Sequence, residues 1–248
     1  MPIPAKAFQR WLHGIAPHTS TSDICRVSGI KRTTLAQQLV RGKVAEATVV
    51  SISRAYNVNP VSALAAFGAY SQLADAHPPT RSELVSQIST PDLLREVLAR
   101  SAADPGGGPA AAAPAGSSAL EPAPHATSVK NWVEAIDDGE LRQRVSAATG
   151  IAPQNYSAQL TANRLAPELA VATSVAAGVG PACGLVASGL ITEAEAGWPP
   201  GARQSALDSL SDGQLTTLAG DRLQALGRSL RRQEHDNEKT EKVWENLG

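Results

Sequence analysis

Side chains able to read a polar surface crowd one short stretch of the sequence. After Gly29 come Lys31, Arg32, Thr33, Thr34, Gln37, Gln38, Arg41 and Lys43. An arginine fork suits the two acceptors on a guanine edge, and a carboxamide suits the donor–acceptor pair on an adenine edge. Lysine and arginine at the flanks suit phosphates, which fix register without reading sequence. Groups for bond-making chemistry are scattered instead. His13, His18, His77, His125 and His235 stand apart, with no metal-ligand spacing among them. Cys25 and Cys183 form no CxxC pair and read as small buried residues. Gly106, Gly107 and Gly108 have no strand before them and no Lys-Ser/Thr after them, so they are no phosphate loop. The pattern points to double-stranded DNA as partner. It predicts no enzyme, cofactor, metal or small-molecule ligand.

The elements that position these residues follow from apolar spacing. Phe8, Trp11, Leu12 and Ile15 recur at helical intervals over residues 4–15. Thr19 to Ser22 offers N-caps for a short helix through Val27, with Ile24 and Val27 expected inward. Gly29 stands where a left-handed residue stops that helix. Lys31 to Val40 forms the next helix. Ile30, Leu35 and Leu39 lie inward, and Arg32, Thr33, Gln37 and Gln38 lie outward. Residues 46–56 make a further helix, and Asn59-Pro60 opens another carrying Val61, Leu64 and Phe67. Helix, glycine turn and short helix with a polar outer face is a helix-turn-helix arrangement. No strand alternation persists anywhere.

Shifting the sequence by 121 aligns its two halves without a gap across their centre. Trp11 falls on Trp132, Gly29-Ile30 on Gly150-Ile151, and Gln38-Leu39 on Gln159-Leu160. Val58, Pro60 and Leu64 fall on Val179, Pro181 and Leu185. The matches sit at turn glycines, helix-start prolines and core positions, which indicates an internal duplication. The second copy changes the outward face. Arg32 becomes Pro153, Thr33 becomes Gln154, Gln37 becomes Ala158 and Gly42 becomes Asn163. Its candidate contacts are Arg142, Gln154, Asn155, Ala158, Asn163 and Arg164, with Arg144 a further cation. Two readings stay open for this copy: a second DNA-reading head, or a diverged module for self-association or a protein partner.

Between the copies, residues 102–128 are dominated by Ala, Gly, Pro and Ser. We expect an all-α fold of two tandem helical modules, each with a helix-turn-helix, joined by this Ala/Gly/Pro-rich linker. The expected division is a 1–101 DNA-binding module, a 102–128 flexible linker, a 129–232 second module and a 233–248 charged tail. A flexible coil of that length spans about 30 Å, close to one DNA turn of about 34 Å. The stripe Leu215, Leu218, Leu223, Leu226 and Leu230 marks a C-terminal helix, either a solvated tail or a dimerising or DNA-tracking one. Net charge is −1 overall, but residues 1–100 carry +5 and residues 129–248 carry −4. No apolar run is long enough to span a bilayer, and no leader pattern is present, so a cytoplasmic, nucleoid-associated location is expected.

The segment Ser28-Gly29-Ile30-Lys31-Arg32-Thr33-Thr34-Leu35 through Arg41-Gly42-Lys43 resembles the Cro/repressor-type helix-turn-helix family. Residues 52–64 are similar to the fourth and fifth helices of actinobacterial members, especially immunity repressors of temperate actinobacteriophages. The resemblance covers residues 5–75 well and 129–195 weakly. It implies a sequence-specific transcriptional repressor, acting in phage immunity and lysogeny. Arg32, Thr33 and Gln37 match its base-reading positions, and Thr21 its phosphate contact. Arg41 and Lys43 match its backbone-contacting loop. Two unlike heads on one chain further lead us to expect an asymmetric operator.

Overall fold

Helix boundaries follow local chemistry. The Asn59 Oδ1 accepts from the backbone N–H groups of Val61 and Ser62, at 2.8 and 3.2 Å, just before Pro60 at the first helical position. Thr80 and Glu83 form a reciprocal capping box at the start of a second short helix. Gly29 and Gly150 each end a helix in the left-handed conformation, at φ 70° and 72°.

The structure, a computed structural model, describes residues 3–75, 77–102 and 119–245. It is all-α, as its sequence indicates. The first repeat holds α1 (Ala5–Ile15), α2 (Thr21–Ser28), α3 (Arg32–Val40), α4 (Glu46–Ala55) and α5 (Pro60–Ala65). A 3₁₀ segment (Gly68–Ala74), α6 (Arg81–Ser86) and α7 (Thr90–Ala102) follow. The second repeat holds α8 (Ser128–Ile136), α9 (Leu141–Thr149), α10 (Pro153–Thr161), α11 (Pro167–Ala177) and α12 (Cys183–Ala187). It closes with α13 (Ala202–Asp208) and α14 (Asp212–Glu245). One element is unexpected from sequence. Two two-residue strands, β1 (Ile3–Pro4) and β2 (Lys43–Val44), pair antiparallel with Ile3 opposite Val44. They are too short to produce an alternation.

The offset of 121 carries through to backbone detail. α3 and α10 begin and end at equivalent residues, and so do the starts of α4 and α11. Left-handed residues recur at Gly29 and Gly150, at Gly42 and Asn163, and at Asn57 and Gly178. The Gln38 Oε1 accepts from Ala45 N at 3.2 Å, and the Gln159 Oε1 from Ala166 N at 3.0 Å.

The chain divides differently from the expected 1–101 and 129–232 modules. One compact unit joins Met1–Gln87 with Pro122–Ala202. A single hydrophobic cluster runs through it, from Ile3, Phe8, Leu35, Ile52 and Leu64 to Trp132, Leu141, Tyr156, Leu185 and Trp198. The repeats are also tied by polar contacts. The Trp132 indole N–H donates to Glu83 Oε1 at 3.2 Å, while Glu83 Oε2 accepts from Thr80 N and Oγ1. The Gln87 amide donates to Ser128 O at 3.2 Å. Sequence periodicity reports each helix's apolar face but not which copy covers it, so the merger escaped the linear reading.

The other unit joins Ile88–Glu121 with Arg203–Gly248. Its core is Ile88, Leu93, Leu207, Leu215 and Ala219, where α7 packs on α14. Arg100 donates to the carbonyls of Leu210 and Leu207 at 2.6 and 3.1 Å and pairs with Glu96. Asp92 pairs with Arg95 and accepts from Glu121 N at 2.9 Å. The expected linker is therefore held at its end by specific bonds, and its residues 103–118 lie outside the described ones. The expected charged tail from 233 is no separate segment, because α14 continues unbroken to Glu245. No helix among the described residues is long and apolar enough to cross a membrane.

Glu83 and Trp132 are both nearly inaccessible to solvent. Trp132→Phe leaves the buried Glu83 Oε1 without its indole donor and should cost about 1–3 kcal/mol. Urea unfolding followed by far-UV circular dichroism measures the loss as a lower midpoint at unchanged slope.

Candidate nucleic-acid interface

α2 starts at Ser20, whose hydroxyl accepts from Asp23 N at 3.1 Å and donates to Asp23 Oδ2 at 2.7 Å. That hydroxyl first, and then Arg26, hold the Asp23 carboxyl below its ordinary range. Ile24 and Cys25 are buried beneath the helix, whereas Val27, expected inward, is about half exposed. The left-handed Gly29 then turns the chain into α3. Only Leu35 of α3 is fully buried, with Leu39 and Ile30 packed at the core's edge. This single buried stripe fixes the helix rotation. Arg32, Thr33, Thr34, Ala36, Gln37 and Val40 all remain exposed.

The second repeat reproduces the frame with different fillings. Tyr156 occupies the position equivalent to Leu35, and Thr173 that of Ile52. The Tyr156 hydroxyl and Thr173 Oγ1 lie 3.0 Å apart, so a hydrogen-bonded pair replaces an apolar one. Burial is the main cause that raises the Tyr156 phenol above its ordinary pKa. Gln154, Asn155 and Ala158 are exposed on α10.

The cations separate into two classes. Arg26 pairs with Asp23, Arg54 with Glu195 at 2.6 Å, and Arg144 with Asp138 at 2.8 Å. Neither Glu46, on the same helix, nor Asp23 is a partner of Arg54. Glu46 is instead buried and accepts from the Tyr70 hydroxyl at 2.5 Å. Arg144 also donates to Ala176 O at 3.0 Å, so its guanidinium is engaged within the fold. Lys31, Arg32, Arg41 and Lys43 are exposed, and among the described residues none has a side-chain hydrogen bond or ion pair. Arg142 and Arg164 are exposed in the same way. Thr21 is exposed on the first turn of α2, two residues from the ionised Asp23.

Two expected contact residues have other work. Gln38 is half-buried, and its Oε1 accepts from Ala45 N and from the Thr48 hydroxyl at 3.0 Å. It ties the end of α3 to the start of α4. Asn163 sits at φ 48°, where its Oδ1 accepts from Lys130 N at 3.2 Å. Asparagine tolerates this left-handed backbone better than most residues, which explains its place opposite Gly42. One exposed residue had escaped the sequence reading. Val40 is 89% exposed and lies two helical turns beyond Thr33 on the same face. Its spacing from Thr33 and Gln37 was the available signal.

No protein-family model, curated protein or solved structure matches the chain.

Gln38→Ala should lower stability by about 1 kcal/mol, because it removes the acceptor of the Ala45 N–H and of Thr48. Gln37→Ala should leave stability within about 0.5 kcal/mol, since its side chain is exposed. Thermal denaturation of both variants against the parent protein separates the structural glutamine from the free one.

Proposed function

We propose that the chain is a sequence-specific transcriptional repressor of double-stranded DNA, of the kind used in phage immunity and lysogeny. The observation that carries this reading is the set of four unpaired cations, Lys31, Arg32, Arg41 and Lys43, around the exposed face of α3. Arg26, Arg54 and Arg144 in the same unit hold carboxylates, while these four, like Arg142 and Arg164, keep their charge available. The α2–Gly29–α3 geometry presents that face with one buried anchor beneath it. The reaction is binding, so it calls for no catalytic group or cofactor. Its place is the host cytoplasm, on the nucleoid.

In this reading Arg32, Thr33 and Gln37 contact base edges, with Thr34 beside them. Lys31, Arg41, Lys43 and Thr21 hold the phosphate backbone. The second head uses Gln154 and Asn155 on bases, with Ala158 between them, and Arg142 and Arg164 on phosphates. The two faces differ, so one chain selects an asymmetric operator. A second reading assigns the second repeat to self-association. It is favoured by Leu223, Leu226 and Leu230 on α14, each about half exposed at intervals of three and four residues.

Selection from a random duplex pool tests the proposal. Enrichment of no sequence would overturn it, and two chains per site in light scattering would favour the second reading. On the enriched site Arg32→Ala should cost about 1–3 kcal/mol and relax one position. Lys43→Ala should weaken binding to all sequences alike and reduce the salt slope by about 1.

Val40 supplies a sharper check. An exposed isopropyl on the reader face suits the C5-methyl of thymine. Replacing the facing thymine by uracil should weaken the parent protein by about 1 kcal/mol. The same replacement should leave Val40→Ala unaffected in an electrophoretic mobility titration.

A further inference from the structure

Within the Met1–Gln87 and Pro122–Ala202 unit, the contacts between repeats come in exchanged pairs. From the first repeat, α4 sends Arg54 to Glu195, at 2.6 and 2.8 Å, and to Leu190 O at 3.3 Å. Residues 189–195 are the counterpart of the 3₁₀ segment Gly68–Ala74 at the offset of 121. From the second repeat, α11, the counterpart of α4, packs on that 3₁₀ segment itself. A second pair runs in the same sense without exact register. Asn59 donates to Glu195 O at 3.0 Å. Its counterpart Gly180 faces His77 so closely that an added Cβ would lie 3.0 Å from the His77 carbonyl. Symmetry would set Gly180 opposite Ala74, and His77 lies three residues beyond it.

Exchange of this kind, where i meets the partner's j and j meets the partner's i, is what a two-fold rotation between like bodies produces. The two sides have diverged since. Val175, about half exposed, stands where symmetry would place a second arginine, and Ala74 where it would place a second glutamate. The ion pair therefore exists on one side only. α6 also packs on α8, while its counterpart α13 belongs to the other unit.

We infer that the chain is a covalently fused pseudo-dimer, whose own inter-repeat contact sets the separation of α3 and α10. This inference rests on the DNA-binding reading above and extends it to the kind of operator bound. Two heads held by a packed interface fit two unlike half-sites at one fixed spacing. Two heads on a coil would accept a range of spacings, and their effective concentration would fall as the coil lengthened. The 103–118 segment would then have no part in spacing the heads.

The experiment uses the full chain and the duplex enriched by selection. A twelve-residue Gly/Ser insertion after Pro109 should change affinity less than twofold. Five added base pairs between the protected halves should cost at least tenfold, because the second head loses its half-site. A protein carrying Asn59→Cys and Glu195→Cys should cross-link with a short bismaleimide without DNA, and should then keep its affinity within twofold. Affinity that falls with the insertion, an operator that absorbs five base pairs with less than threefold loss, or cross-linking that abolishes binding would each overturn the inference. Failure to enrich any duplex would overturn the repressor reading instead. The yield of the 59–195 cross-link would still decide the repeat pairing in that case: efficient cross-linking supports it, and absent cross-linking overturns it.

Discussion

A shared core is the constraint on which the rest of this structure depends. Each repeat is short and alanine-rich, and aromatics make up only 4% of the chain. A body of that size buries a modest fraction of its surface by itself. Joining residues 3–87 to 122–202 lets Phe8, Trp132, Tyr70, Tyr156 and Trp198 contribute to one continuous interior. The merger also brings polar groups inside, and several of them are hydrogen-bonded. Glu83 accepts from Thr80 and Trp132, Glu46 from Tyr70, and Gln87 donates to Ser128. Such bonds add less stability than they would cost if broken, so they specify how the repeats meet more than they strengthen the contact.

The outward face of α3 is a by-product of the same packing. Leu35 alone anchors the helix, and the left-handed Gly29 sets its entry. Arg32, Thr33, Thr34, Ala36, Gln37 and Val40 are left in solvent, while Gln38 and Leu39 lie half-buried at the edge of that stripe. The electrostatics then sharpen the face by subtraction. Arg26, Arg54 and Arg144 are spent on local carboxylates, and the cations flanking α3 are not. A net charge of −1 therefore conceals a local surplus, and in solution it is the local field that a polyanion meets.

Divergence between the copies follows function and packing separately. Where the copies face solvent they differ most, as Arg32 against Pro153 and Gln37 against Ala158 show. Where they turn or cap they agree, as Gln38 and Gln159 show by the same bond to the following helix. Where they touch each other they have become complementary, with Arg54 and Glu195 on one side and no matching pair on the other.

The sequence alone determined the helices and their ends, because these depend on residues three to five positions apart. It also revealed the duplication, because a copied segment repeats its residues at one fixed offset. Apolar spacing located α1 to α5, and Gly29 and Asn59-Pro60 marked their limits. The candidate cations could be named for the same reason: a short polar stretch on one helix face is a local fact. Only the tertiary structure decided which candidates are free. Gln38 and Asn163 look like contact residues until the backbone groups they bond, Ala45 N and Lys130 N, are brought beside them. Arg54 finds Glu195 across 141 residues, a distance no spacing rule spans. The merging of the repeats was hidden for the same physical reason. An apolar stripe announces that it will be covered, but its partner is chosen by shape and by the few polar bonds that must close in the interior.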